Sequence, residues 1–501
     1  MLSRPVMLLG RVPAPRLRLS AFRLRSQSSL ASTIGDFTAK LHHPKFSVAA
    51  RDVRILLKPT EFHDQLKEMI ERAQTRIFIS SLYLGSMESD LVVSLQRALE
   101  RRPHLRLHML FDFNRSTRPE PKSTAKLLAP LIAQFPERVH ISFFRSPSLR
   151  GLMAKLVPPR FNEGWGTWHA KIYGVDNEVM ISGANLNKSY FTDRQDRYIH
   201  FSASDQQRLS HYCFDFIRTV SNFSFRLLPP AKDSLPEHSV RTEEYNLRWP
   251  LPETHPHQIH GFAQTALTSL QESYRHLTSE PLDPGKFALY PLMQAGQFHI
   301  RDEEQTLHLL FEHLNSVQNS RALVDLTSGY FGLYEPYQKL VLESSNVDCR
   351  IVAASPRANG FYGSRGVSGR IPEGYTLLEQ RFMNAVAAAN RQNSVQLTEW
   401  EREGWTYHAK GIWVSDTDPD ALPKLTIFGS TNLNSRSAHI DSELSFLMVA
   451  PEGREEAALR MRRKLFVERN YIRAWSKPWK GAERKVRLGT RFLAWLVGGM
   501  L

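Results

Sequence analysis

One tract occurs twice in this chain, and its repetition limits the fold more than any other feature. Glu163-Gly164-Trp165-Gly166-Thr167-Trp168-His169-Ala170-Lys171 returns as Glu403-Gly404-Trp405-Thr406-Tyr407-His408-Ala409-Lys410, with one residue inserted in the first copy. Each copy is followed by a strand-like run and a small-residue turn that ends in Asn: Val179 to Ser182-Gly183-Ala184-Asn185, and Leu425 to Gly429-Ser430-Thr431-Asn432. Eleven residues beyond each Asn lies a carboxylate, Asp196 or Glu443. The expectation is two copies of one structural unit that meet at one reaction centre.

A bare His-x-Lys carries no such weight. His43-Pro44-Lys45 also has it, without Asp, glycine turn or Asn at the matching offsets, and reads as a solvated loop. A purely structural duplication would explain recurring apolar residues. It does not explain His, Lys, Asn and a carboxylate recurring at matched offsets, because a core does not require them.

In an extended strand the side chains at i and i+2 share a face, so His169 projects with Lys171 and His408 with Lys410. Two such strands side by side would put two imidazoles and two ammonium groups in one pocket. That set suits a phosphodiester. The lysines, the Asn185 and Asn432 amides and the Ser430 hydroxyl would bind the non-bridging oxygens, with no metal or cofactor needed. One imidazole would attack phosphorus while the other protonates the leaving group. Asp196 and Glu443 are placed to orient a histidine, with either pairing open.

His169-x-Lys171-x4-Asp176 with Ser182-Gly183-Ala184-Asn185, and His408-x-Lys410 with Gly429-Ser430-Thr431-Asn432, resemble the phospholipase D superfamily. The resemblance implies two tandem phospholipase D-like α/β sandwich domains sharing one active site, with His169, Lys171, Asp176, His408 and Lys410 as catalytic residues. It implies a phosphohistidine on His169, with His408 as general acid and then base. The second copy has Ser415 in the Asp slot, with Asp416 one residue late.

Within that superfamily the chain is similar to the eukaryotic mitochondrial phosphatidylglycerophosphate synthases. The likeness rests on Ser81-Leu82-Tyr83-Leu84-Gly85, Ser182 to Leu186, Ala354 to Gly363, and Trp405 to Trp413 with its missing Asp. It implies CDP-diacylglycerol and glycerol 3-phosphate as substrates. A phospholipase D-type hydrolase or nuclease, a phosphatidylserine synthase, and a membrane scaffold with a dead site are the alternatives; intact His169, Lys171, His408 and Lys410 argue against the last.

Residues 1–35 hold Arg4, Arg11, Arg16, Arg18, Arg23 and Arg25 and no acid, with Ser and Leu between them, which reads as a mitochondrial transit peptide. The net charge of +15 suits anionic partners, here a nucleotide-linked lipid, a phosphorylated acceptor and an acidic membrane surface. Charge alone fits nucleic acid equally; the resemblance to the phosphatidylglycerophosphate synthases implies no nucleic-acid partner. Cys213 and Cys349 are too few for a disulfide framework or a Cys-based zinc site, and read as buried small residues.

No uninterrupted apolar run reaches the length of a membrane span. Arg484, Lys485, Arg487 and Arg491 lead into Phe492, Trp495 and Leu496, a pattern for a helix lying in a membrane interface. A peripheral enzyme on the matrix face of the inner membrane is the family implication.

The halves repeat beyond the motifs. The strand-like runs Arg76 to Gly85 and Ala322 to Gly332 correspond, as do Leu105 to Phe111 and Arg350 to Ala354, and a helical pattern covers Asp90 to Glu100. We therefore expect an N-terminal domain over 36–228, a proline-rich linker over 229–258, a C-terminal domain over 259–475 and a membrane-associating tail over 476–501. Two loops, Asp112 to Arg118 and Ser355 to Arg370, mix arginine with small residues, and Arg115, Arg357 and Arg365 are candidate substrate ligands. Gly360, Gly363, Gly366 and Gly369 would let backbone amides approach phosphate.

Overall fold

The computed structural model describes residues 29–496 apart from 119–121, 152–155, 160, 203–206, 231–233, 279–284, 318–320 and 452–454. The six arginines of the expected leader lie outside the described residues.

Two mixed sheets dominate the fold, and they are built alike. In the first, strands run in the order Val53–Leu56, Tyr198–Phe201, Glu178–Ser182, Ile172–Val175, Arg76–Ser80, Arg106–Asp112, Val139–Phe144, Phe225–Leu228. In the second, the order is Phe287–Ala295, Glu443–Val449, Leu425–Gly429, Lys410–Asp416, Ala322–Ser328, Val347–Ala354, Val395–Trp400, Ser476–Pro478. Each step has the same sense in both: the two central steps after Arg76–Ser80 and after Ala322–Ser328 are parallel, and all the others antiparallel. The expected α/β duplication is this shared topology.

The central strands are buried on both faces: Ala322–Ser328 and Glu443–Val449 are buried throughout, with Asp325 held there by Arg350, Arg469 and Arg473. Helices cover them through one apolar stripe. Pro59–Arg72 starts on a proline, its Glu61 carboxylate accepts the Leu57 amide, and Phe62, Leu66, Met69 and Ile70 recur at three- and four-residue spacing on its buried face. The helical pattern over 90–100 is the helix Ser89–Arg101, which buries Leu91, Leu95, Ala98 and Leu99.

Three segments cross the expected boundaries. The helix Leu30–Ala39 begins inside the span assigned to the leader and buries Leu30, Ile34 and Phe37 in the core of the second half. The strand Phe46–Val48 pairs with Phe287–Ala295 of the second sheet. The proline-rich stretch carries strands Val240–Arg241 and Asn246–Arg248, which extend the first sheet beyond Phe225–Leu228, because prolines at an edge leave their neighbours free to pair. His43 is not solvated either: its Nε2 meets Thr306 Oγ1 at 3.0 Å beside that second-sheet strap.

The halves are not separate bodies. One apolar cluster joins Trp168, Phe201 and Phe223 of the first half to Phe298, Phe428, Phe446 and Met461 of the second. Across the same boundary the buried Arg197 guanidinium pairs with Glu468 at 2.9 Å and stacks 3.9 Å from the Trp413 ring. No helix among the described residues is long and apolar enough to cross a membrane.

Candidate active site

Each histidine is delivered by backbone pairing between the halves. Trp168 forms a parallel bridge with Ser442; the His169 amide donates to Ser442 O at 2.9 Å, and the Ser442 amide donates to Thr167 O. In mirror fashion Thr406–Tyr407 pairs in parallel with Arg194–Gln195, and the His408 amide donates to Gln195 O at 2.8 Å. The residue after Ser442 is Glu443 and the residue after Gln195 is Asp196. His169 Nδ1 therefore stands 2.8 Å from Glu443 Oε2, and His408 Nδ1 stands 2.6 Å from Asp196 Oδ2. Every imidazole takes its carboxylate from the other half, which resolves the pairing left open by the sequence. With Nδ1 engaged, Nε2 is the nitrogen each ring has left for chemistry.

The lysines sit just behind. Lys171 Nζ donates to the His169 carbonyl, and Lys410 Nζ donates to the His408 carbonyl at 2.8 Å while lying 2.7 and 3.1 Å from the two nitrogens of its ring. Lys171 opens into Ile172–Val175 and Lys410 begins Lys410–Asp416, so the i, i+2 projection holds at the mouth of each strand.

Burial sets the electrostatics. It pushes the Lys410 ammonium down to about 8 and lowers that of Lys171 well below its ordinary value, against the pull of Asp196 and Glu443. The two carboxylates differ. Burial raises Asp196 to about 6, with Lys410 and the Arg197 amide opposing. Burial also acts to raise Glu443, but His169, its hydrogen bond and Lys171 outweigh it and hold Glu443 at about 2. Burial lowers both histidines; Glu443 counters it at His169, whereas Lys410 and Arg194 add to it at His408.

Several expected residues have other duties. Asp176 is at the far end of Ile172–Val175, about 16 Å along the chain from Lys171 at strand rise. Its carboxylate accepts the amides of Gln74, Thr75 and Arg76 and the Thr75 hydroxyl, and its φ of 51° closes the turn. Its place among the catalytic residues is corrected accordingly: it ties the strand ends together. Ser430 is also corrected, from phosphate ligand to carboxylate ligand, since its hydroxyl donates to Glu443 Oε2 and accepts the Leu444 amide.

The asparagines remain near the centre. Asn185 is buried and donates to the Tyr190 hydroxyl at 3.2 Å, while the buried Asn432 Oδ1 has no hydrogen-bond partner among the described residues. Arg115 lies over the Tyr83 ring at 4.3 Å and near Glu163, and Arg357 and Arg365 are on exposed parts of their loop. That loop reaches the centre through Gly360 instead: a Cβ there would stand 2.9 Å from both Arg194 Nη2 and the Tyr330 hydroxyl.

Four participants were not anticipated. The Tyr190 hydroxyl is 3.2 Å from His408 Nε2, Tyr330 sets its ring edge-on to His408 at 5.4 Å, Arg194 lies 4.6 Å over the Tyr190 ring, and Ser437 donates to Glu443 Oε1 at 2.7 Å. A signal for two of them exists in the repeat. Asn-Leu-Asn occurs at 185–187 and 432–434, Asn187 and Asn434 each cap a short helix, and Tyr190 and Ser437 each stand five residues beyond the first Asn. Tyr330 holds the place in the second strand repeat that Tyr83 holds in the first. The described residues contain no group of three or more His, Cys, Asp or Glu arranged to hold a metal ion.

The class of protein follows from the fold. The phosphatidylserine synthase of Haemophilus influenzae superposes with a TM-score of 0.65 over 93% of this chain and 97% of its own, at 20% identity, so the two share their architecture. No protein-family model matches. The chain is 35% identical over 470 residues to the CDP-diacylglycerol--glycerol-3-phosphate 3-phosphatidyltransferase of Schizosaccharomyces pombe, covering 87% of this chain and 91% of that protein. It is 34% identical over 490 residues to the Homo sapiens protein of that name, there called mitochondrial, covering 91% and 84%. The chain belongs to the CDP-diacylglycerol--glycerol-3-phosphate 3-phosphatidyltransferase family.

Proposed function

We propose that the protein transfers the phosphatidyl group of CDP-diacylglycerol to sn-glycerol 3-phosphate, giving phosphatidylglycerophosphate and CMP, the committed step towards phosphatidylglycerol and cardiolipin. The relatives' shared name supports the substrates. The cross-half pairing of His169 with Glu443 and His408 with Asp196 carries the chemical reading of one site shared by domains spanning about 36–228 and 259–475.

His169 Nε2 attacks the diacylglycerol-linked phosphorus, and the bond to the CMP oxygen breaks as His408, protonated once the substrate's diphosphate offsets Lys410 and Arg194, supplies a proton to that oxygen. Glu443, held as a carboxylate by Ser430, Ser437 and His169, offsets the positive charge that develops on the attacking ring. Lys171, Lys410 and the Asn185 and Asn432 amides face the charge on the phosphoryl oxygens. His408 then takes the proton of the glycerol 3-phosphate hydroxyl, which attacks phosphorus and frees His169.

The location follows the same reading. The arginine-rich residues 1–28, ahead of the core helix Leu30–Ala39, serve as the mitochondrial leader, and the enzyme works peripherally at the matrix face of the inner membrane. Helix Leu488–Leu496 presents Leu488 and Phe492, four residues apart and 83% and 60% exposed, near the exposed Lys485 and Arg491, a pattern for an anionic membrane surface. The side chains of Trp495 and Leu496 and residue Val497 lie outside the described residues.

The test supplies purified protein with CDP-diacylglycerol and labelled glycerol 3-phosphate, serine or water in turn. Phosphatidylglycerophosphate is the expected product; exclusive formation of phosphatidylserine or phosphatidic acid overturns the assignment. Retention of a covalent phosphatidyl-enzyme by His169→Ala would move the nucleophile to His408.

A further inference from the structure

The pseudo-symmetry of the site fails at one charge. Asp441 stands two residues before Glu443, as Arg194 stands two residues before Asp196. Asp441 accepts the amide and hydroxyl of Thr167 and is neutralised by Arg436 at 3.1 Å. Arg194 touches the matching threonine, its Nε donating to Thr406 Oγ1 at 2.9 Å, but its other neighbours are the Tyr190 ring, the Tyr330 hydroxyl and Gly360. The His169 side thus carries a closed ion pair and the His408 side an unbalanced cation.

Three other enclosed arginines are neutralised, Arg197 by Glu468, Arg436 by Asp441 and Arg469 by Asp325, while the buried Arg391 is satisfied by the Ser344 and Val347 carbonyls. Among the described residues Arg194 has no carboxylate within ion-pair distance, although its charge acts on His408, Lys410 and Asp196. Holding a cation half out of water without a counter-ion is costly, and a ligand anion removes that cost. Guanidinium binds phosphate oxygens in a fork, and beside its Nη2 the chain has Gly360, where a Cβ would intrude to 2.9 Å.

We infer that Arg194 is a second phosphate-binding residue, which holds a phosphate monoester on the His408 side of the site, beyond the phosphoryl group under attack. The inference rests on the proposed transferase reading, in which His408 protonates one phosphate monoester, CMP, and deprotonates another, glycerol 3-phosphate. Both visit this side, and either phosphate has the chemistry Arg194 requires. Tyr190, between Arg194 and His408 Nε2, links the bound anion to the proton-transfer group.

Arg194→Gln and Arg194→Lys in the full-length protein test this. Three readouts are taken: KM for glycerol 3-phosphate in transfer, KM for CMP in the exchange of labelled CMP into CDP-diacylglycerol, and calorimetric titration with each ligand. Arg194→Gln is expected to raise one KM about 10- to 100-fold, the size of a lost charged hydrogen bond, with kcat changed much less and Arg194→Lys recovering part. A rise confined to glycerol 3-phosphate identifies the acceptor's phosphate, and one confined to CMP the nucleotide's; both support the inference. Unchanged KM values for both, or a loss in kcat alone, overturn it and leave Arg194 as a positioning residue for Tyr190. If the wild type makes no phosphatidylglycerophosphate, the functional reading fails; unweakened calorimetric binding of both ligands by a folded Arg194→Gln would separately sink this one.

Discussion

Replacing Glu443 with Gln keeps the shape of the side chain and removes its charge from a point 2.8 Å from His169 Nδ1. A full charge at that distance from an imidazolium is worth about 6 kcal/mol at an effective dielectric of about 20, which is an upper bound for the loss. A Gln carbonyl still accepts from Nδ1, so the lower bound is the difference between a charged and a neutral hydrogen bond, about 1.5–3 kcal/mol. The rate of attack on phosphorus should fall about 10- to 10⁴-fold. The Ser430 and Ser437 hydroxyls both donate to this carboxylate, so one must turn to accept from the new amide, and melting temperature is followed alongside. The measurement is rapid-quench release of CMP from CDP-diacylglycerol without acceptor, which isolates the first step. A folded variant whose first-turnover rate stays within about threefold of the wild type refutes a charge-stabilising role for Glu443.

Four further outcomes are expected. Asp196, raised by burial to about 6, must be ionised to orient His408, and Lys410, lowered by burial to about 8, must keep its charge, so kcat/KM should be bell-shaped with limbs near those values; Asp196→Asn should abolish the acid limb. Because the folded state holds the Asp196 proton more tightly than the unfolded chain, the Asp196 contribution to stability should decline as pH rises through about 6, a trend that thermal melts of the same variant should lose. Asp176→Ala removes the acceptor of three amides and a hydroxyl, and should cost about 2–3 kcal/mol in denaturant titrations while sparing kcat; a lost turnover in a stable variant would return Asp176 to the chemistry. Leu488→Ser with Phe492→Ser should weaken sedimentation with phosphatidylglycerol-containing vesicles about tenfold, and unchanged binding would place the membrane contact elsewhere.

The duplication was legible because it is local: the tract, the strand after it and the glycine turn recur at fixed offsets, and the two sheets follow. Which carboxylate serves which histidine was not legible, because Trp168 pairs with Ser442 across 274 positions between His169 and Glu443, and no periodicity reports such a pairing. Asp176 misled for a related reason. It belongs to the repeated pattern, but the pattern records what the strand needs as well as what phosphorus needs. Tyr190 and Ser437 occupy equivalent places with different side chains, so a search for recurring residue types passes over them. The strands within 229–258 were hidden by prolines that read as a linker, while the pairing partners are at an edge where such residues are tolerated.

The crossed delivery of histidines has the symmetry of an isologous dimer in which each subunit lends its partner a carboxylate, here fused into one chain. Fusion makes the encounter intramolecular, so the reactive pairs form at any protein concentration. It also means that neither half alone owns a complete pair, and a folding intermediate with one half formed is chemically inert. Once joined, the two copies were free to specialise: one keeps a carboxylate held near 2 beside a closed ion pair, the other a carboxylate near 6 beside an open cation. A homodimer of identical subunits would build the two settings from the same residues, whereas the fused chain encodes each separately, and a reaction that gives up one partner before accepting the next has a use for both.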